Sequence, residues 1–312
     1  MAKADEKRRV EGTGFAGLTW RGVYGVPWKA FLKDLIGEIR EDNVPNGAAA
    51  LAYYLMLAVF PAMIFLLSLL PYLPIHNLQQ SIMGWLSATM PGDAASLFSN
   101  TVNEIVRQPR GGLLSFGALF TLWAASAGMV AIMQELNITY DVKEGRPFWK
   151  TRGTAILLTL FFGVLLITAF ALIILGGDFQ NWLTARLNWG PVLVAAFTFS
   201  RWLIIVAALL LAFAMTYYFG PDVEQKFKFI TPGSVLATSL LALASLGFRV
   251  YAENFGKYSV TYGSLGAVIV FMAWLNIMGL VILLGSEINA LIEHYSPEGK
   301  NKGEKQETDQ AA

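Results

Sequence analysis

Between Asn43 and Gly92 the chain carries no formal charge, and it carries none again from Tyr258 to Ser286. A helix needs about 20 apolar residues to cross the hydrocarbon of a bilayer. In that medium every backbone amide must find a partner within the protein, which a lone helix provides for itself. Only 14% of the 312 residues are charged, whereas soluble domains carry about 25%. The apolar surplus falls in blocks, so the expected fold is all-α, a polytopic bundle of six transmembrane helices. The spans are read as Ala48–Leu70, Leu113–Gln134, Thr154–Leu175, Val192–Phe219, Val235–Phe248 and Leu265–Gly285. The fifth has the shortest apolar core and borrows flanking residues to cross.

Lysine and arginine set the orientation. If the six spans are correct, 17 of these residues lie in segments on one side and four, Arg107, Arg110, Arg186 and Lys257, on the other. The positive-inside rule then puts both termini in the cytoplasm. Residues 1–45 form a cytoplasmic segment, 46–295 the six-span domain and 296–312 a disordered tail. No cleavable signal peptide is expected. Within "PWKAFLKDLIGEIRED", residues 27–42, an apolar face at helical spacing predicts an amphipathic helix lying on the membrane surface or packed on the bundle. Short helices are expected in the outer loop of 71–112, around "SIMGWLSATM" and "AASLFSNTVNEIV".

Polar residues inside such spans are the candidate functional groups. Glu287 and Asn289 end the sixth span, and Glu135 and Asn137 end the second. Both spans run in the same direction, so the two E-x-N ends form an expected inner polar cluster. Asn276, deeper on the sixth span, must face the bundle, because an amide is costly in hydrocarbon. Arg201 and Arg249 fall in the outer halves of spans four and five. Guanidinium groups bind phosphate through paired hydrogen bonds, so with Asn276 they are candidate ligands for an anionic headgroup, against the plainer reading of snorkelling. Pro61 interrupts the first span and is a candidate hinge.

Some chemistries are excluded. The chain has no cysteine, which removes thiolate catalysis and Cys-based metal sites. Its two histidines, His76 and His294, lie on opposite expected sides. No metal, no cofactor and no nucleic-acid partner is expected; the expected partners are membrane lipids, anionic ones included.

The segments "AAALAYYLMLAVFPAMIFLLSLL" (48–70), "GLLSFGALFTLWAASAGM" (112–129) with its following "ELN", and "YGSLGAVIVFMAWLNIMGLVILLGSEINA" (262–290) resemble the YihY/BrkB family of bacterial inner-membrane proteins, formerly labelled ribonuclease BN-like. The resemblance spans roughly 30–295. It implies a six-span helical membrane protein with cytoplasmic ends, and links to envelope integrity and lipid movement. It implies no agreed functional residues. The ribonuclease label is at odds with the residues, since a two-metal nuclease needs converging imidazoles and carboxylates that two separated histidines cannot supply. The expectation is a non-enzymatic transporter or flippase of an anionic lipid or other amphiphilic anion in the bacterial inner membrane. The alternative is a scaffold for envelope integrity or assembly.

Overall fold

The computed structural model describes residues 18–19, 22–69, 111–187, 190–225, 227–255 and 264–296. Among the described residues, seven helices carry the fold: α1 Trp28–Glu41, α2 Val44–Leu69, α3 Gly111–Thr139, α4 Phe148–Leu187, α5 Pro191–Phe219, α6 Pro232–Phe255 and α7 Ser264–Tyr295. Among the described residues, five stretches within α3–α7 are long and apolar enough to cross a membrane, and α2 adds a shorter apolar piece, Val44–Val59. Five of the expected spans therefore fall on helices long and apolar enough to cross; the first, Ala48–Leu70, falls on α2, and its last residue lies outside the described residues. The expected short helices of the 71–112 loop and the expected disordered tail of 296–312 lie outside the described residues, apart from the loop's last two residues, which open α3, and Ser296. At about 1.5 Å per residue, the 40 residues of α4 measure about 60 Å. That is twice the hydrocarbon thickness, and its last turns, "DFQNWLTARL", are the polar ones.

The chain is not purely helical. Three two-residue strands precede α1: β1 Leu18–Thr19, β2 Gly22–Val23 and β3 Val26–Pro27, antiparallel in that order. Tyr24 and Gly25 join β2 to β3 with φ of 46° and 86°, the two positive angles of a type I′ hairpin turn, which Gly favours. Val23, from this small sheet, is buried with Phe31 of α1 and Leu291 of α7. Spacing alone missed these strands because each is too short to show an alternation.

Helix α1 has two apolar edges. Phe31, Leu35 and Ile39 pack onto the bundle; Trp28, Leu32 and Ile36 are exposed. It ends at Asp42, and Asn43, with φ of 52°, reverses the chain directly into α2. Asn tolerates this left-handed conformation better than most residues, and Pro45, in the first turn of α2, needs no helical donor there.

The helices pack in a ring that follows chain order, α2 on α3, α3 on α4, and so on to α7, which closes onto α2 and also touches α3. The core concentrates at one end, where Leu51, Met133, Leu136 and Leu283 are fully buried. We call this the proximal end; it holds the α1–α2, α3–α4 and α5–α6 connections. Two close approaches fix it. A Cβ on Gly279 would sit 2.8 Å from the Ala48 carbonyl oxygen, and one on Gly233 would sit 2.0 Å from that of Gly285. Small residues let helix backbones touch where no hydrophobic force between helices is available. On α4 and α5, by contrast, large apolar residues such as Leu157, Val164, Phe199 and Leu203 are exposed, the pattern of a lipid-facing surface. The molecule is a multi-pass membrane protein.

Candidate functional site: a carboxyl cluster at the proximal end

Glu287 enters the core from α7, two residues past the Gly285 contact, and is only 1% exposed. Its Oε1 has no hydrogen-bond partner. The carboxyl group is hydrogen-bonded to the side chain of Asp42, at the end of α1, and feels the charges of Glu38 on α1 and Asp141 on the α3–α4 connection. The reversal at Asn43 and a second positive φ at Asp141, 56°, bring these acidic groups over the end of α7. Beside them, Ser286 donates to the Thr139 hydroxyl at 2.5 Å while Thr139 donates to the Leu136 carbonyl at 3.0 Å, joining α7 to α3. Tyr140 is buried here too; burial, and then the charge of Glu293, hold its phenol well above the ordinary value, so it stays a neutral hydroxyl.

Glu135 reaches the same end but points elsewhere. Its carboxylate lies against α2, where a Cβ on Gly47 would fall 2.3 Å from Oε2. The groups that act on Glu287 are Asp42, Glu38 and Asp141, rather than Glu135.

The two asparagines of the E-x-N ends share a different task. Asn137, buried at the end of α3, accepts from the Asp222 amide at 2.7 Å and donates to Glu144 at 3.1 Å. Asn289 accepts from the Gly233 amide at 2.8 Å and donates to the Thr231 hydroxyl at 3.1 Å. Thr231 and Ser234 also cap each other, Ser234 N to Thr231 Oγ1 and Thr231 N to Ser234 Oγ, both 3.0 Å. One segment, 220–231, is thus pinned at its start by Asn137 and at its end by Asn289. The repeated motif marks this pinning, a role the spacing could not disclose.

Arg146 completes the clamp. It donates to Glu144 at 2.7 and 2.8 Å and to the Phe219 and Gly220 carbonyls at 3.1 and 2.8 Å. Those carbonyls close α5, where helical acceptors lack partners. Burial alone would raise the Glu144 carboxyl, but the Arg146 hydrogen bonds and charge, with Asn137, hold it below its ordinary value. In the sequence Arg146 counted only as one positive charge among 17.

The remaining candidates lie away from this cluster. Arg201 is 18 residues before the end of α5 and Arg249 is 17 residues after the start of α6, about 27 and 26 Å along their helices. Arg201 packs on Gly176 of α4, where a Cβ would fall 2.9 Å from Nη1, and its Nε has no partner; Arg249 is exposed. Asn276 is half-buried on α7, about 17 Å before Glu287. Pro61 lies within α2, and its side chain is outside the described residues. No group of three His, Cys, Asp or Glu among the described residues could hold a metal ion.

Residues 35–310 match the family model described as virulence factor BrkB. The chain belongs to this family. Similar proteins include a putative ribonuclease-like protein YfkH of Bacillus subtilis, 35% identical, which the alignment covers over 95% of its length and 84% of this chain. A UPF0761 membrane protein of Vibrio campbellii is 26% identical over 86% of this chain and 84% of its own. Another, from Chromohalobacter salexigens, is 26% identical over 83% of this chain and 62% of its own. No solved structure matches the chain.

Proposed function

We propose that this BrkB-family chain is a six-span inner-membrane transporter, with both termini in the cytoplasm, that moves an anionic lipid or similar amphiphilic anion and couples the movement to protons. One observation carries the reading. Glu287 is buried against a second carboxyl group, with an oxygen left unsatisfied. A hydrogen bond between two carboxyl groups needs a proton on one of them, and two such groups cannot both ionise cheaply. A static scaffold gains nothing from this arrangement, since an amide or a leucine would fill the place at lower cost. In a transporter, loss of that proton repels Asp42, Glu38 and Asp141 from α7 and loosens the α1–α2 turn from the bundle. Glu135, Glu293 and the neutral Tyr140 border the same end. Arg201, Arg249 and Asn276 then serve the anion from the distal side, Pro61 lets α2 bend, and the exposed edge of α1 rests on the cytoplasmic leaflet. The chain acts without catalysis.

Purified protein in liposomes tests this. Transport predicts that the protein alone carries fluorescent phosphatidylglycerol between leaflets faster than empty liposomes do. The second reading, a non-catalytic envelope scaffold, draws on the close pinning of the proximal end by Asn137, Asn289 and Arg146, and predicts no lipid movement.

A further inference from the structure

A pocket of about 430 Å³ opens between the first turn of α4 and the α5–α6 connection, lined by Arg146, Lys150, Thr154, Asp222, Glu224 and Gln225 among others. Its charged lining holds two cations and two anions. Arg146 is committed to Glu144 and to the end of α5, and it also pairs at 3.6 Å with Asp222, whose other carboxylate oxygen accepts from the Gly145 amide at 2.9 Å. Lys150 forms no ion pair among the described residues and is the cation left to face a ligand.

The surroundings set the depth. Phe148 and Trp149, which open α4, are exposed, Trp149 by 82%; Phe219 at the end of α5 is exposed, as are Phe227 and Phe229. Aromatic residues gather at the level of lipid headgroups, and the apolar spans of α4 and α5 begin and end here. A pocket at that depth, with both signs of charge and an aromatic rim, matches a ligand that carries both signs and an acyl tail.

We propose that this pocket binds the phosphoethanolamine headgroup of a membrane phospholipid, with its phosphate on Lys150 and its ammonium toward Glu224. The site is separate from the carboxyl cluster and does not depend on transport. A lipid held there would fasten α4 to the 220–231 segment that Arg146 and the two asparagines already clamp.

Native mass spectrometry of the full-length protein tests this, after equilibration with equal amounts of phosphatidylethanolamine, phosphatidylglycerol and diacylglycerol of matched chains. Phosphatidylethanolamine should be retained above the other two. Lys150→Gln should lower its retention about fivefold, the effect of one basic contact near a membrane surface. Glu224→Gln should bring it toward the phosphatidylglycerol level. Lys143→Gln, on the exposed face of the α3–α4 connection, should change nothing, and each variant should melt with the parent. Equal retention of diacylglycerol or phosphatidylglycerol by the parent would overturn the proposal, as would full retention by Lys150→Gln. Soluble phosphoethanolamine supplies the headgroup without the tail; if it binds as tightly as the lipid, the site serves a free solute and the lipid assignment falls.

Discussion

Replacing Asn289 by alanine isolates the pin at the start of α6. Two hydrogen bonds disappear, one at 2.8 Å from the Gly233 amide and one at 3.1 Å to Thr231. Each contributes about 1 kcal/mol net. Gly233 is buried, so its amide cannot turn to water, and an unsatisfied buried donor costs about 1–3 kcal/mol in its own right. The expected loss is about 2–4 kcal/mol. For a chain of this size that lowers the melting point by roughly 3–6 °C. Asn289→Asp keeps the acceptor and loses only the bond to Thr231. A carboxylate beside a helix N-terminus is favourable, so this variant should lose about 1 kcal/mol. Thermal melts in detergent, followed by the fluorescence of the nine tryptophans, should rank the parent above Asp and Asp above Ala. An alanine variant that melts with the parent, or an aspartate variant as damaged as alanine, would refute the pinning argument.

Gly279→Ala places a methyl 2.8 Å from the Ala48 carbonyl, so the same melts should show a loss of about 1–3 kcal/mol, while Gly163→Ala, with nothing near it, should show none. Glu144 has a lowered pKa, so its pairing with Arg146 stabilises fully above the ordinary carboxylate value of 4.5. That contribution is lost as pH falls through the lowered value, and Glu144→Gln should flatten the acid limb of the melting curve against pH. The chain lacks cysteine, so single cysteines report orientation. Those at Asn100 and Asn188 should react with an impermeant thiol reagent from the periplasm, and those at Gly145 and Gln306 should not; the reverse pattern would invert the topology.

The helices were legible because hydrocarbon leaves the chain little choice. Uncharged blocks of the right length located the long apolar helices, and the E-x-N ends of α3 and α7 both lie at the proximal end. The partners of those residues were not legible. Glu287 meets Asp42 only because Asn43 turns the chain back with a positive φ, and a single Asn carries no readable signal for that turn. Asp42 itself sat on the polar side of an amphipathic helix, where charge is ordinary. Arg146 became a clamp through carbonyls 73 and 74 residues away, a relation that no local pattern contains. The strands before α1 were too short for periodicity to register.

The central claim is that the buried Glu287–Asp42 carboxyl pair shares a proton whose release drives transport. Liposomes holding the purified protein, with a pH gradient imposed in either direction, would report movement of labelled phosphatidylglycerol. The gradient should accelerate transport by the parent. Glu287→Gln, which fills the same volume but cannot release a proton, should insert, melt no lower than the parent and lose the gradient response. A Glu287→Gln variant that responds to the gradient as the parent does would contradict the account.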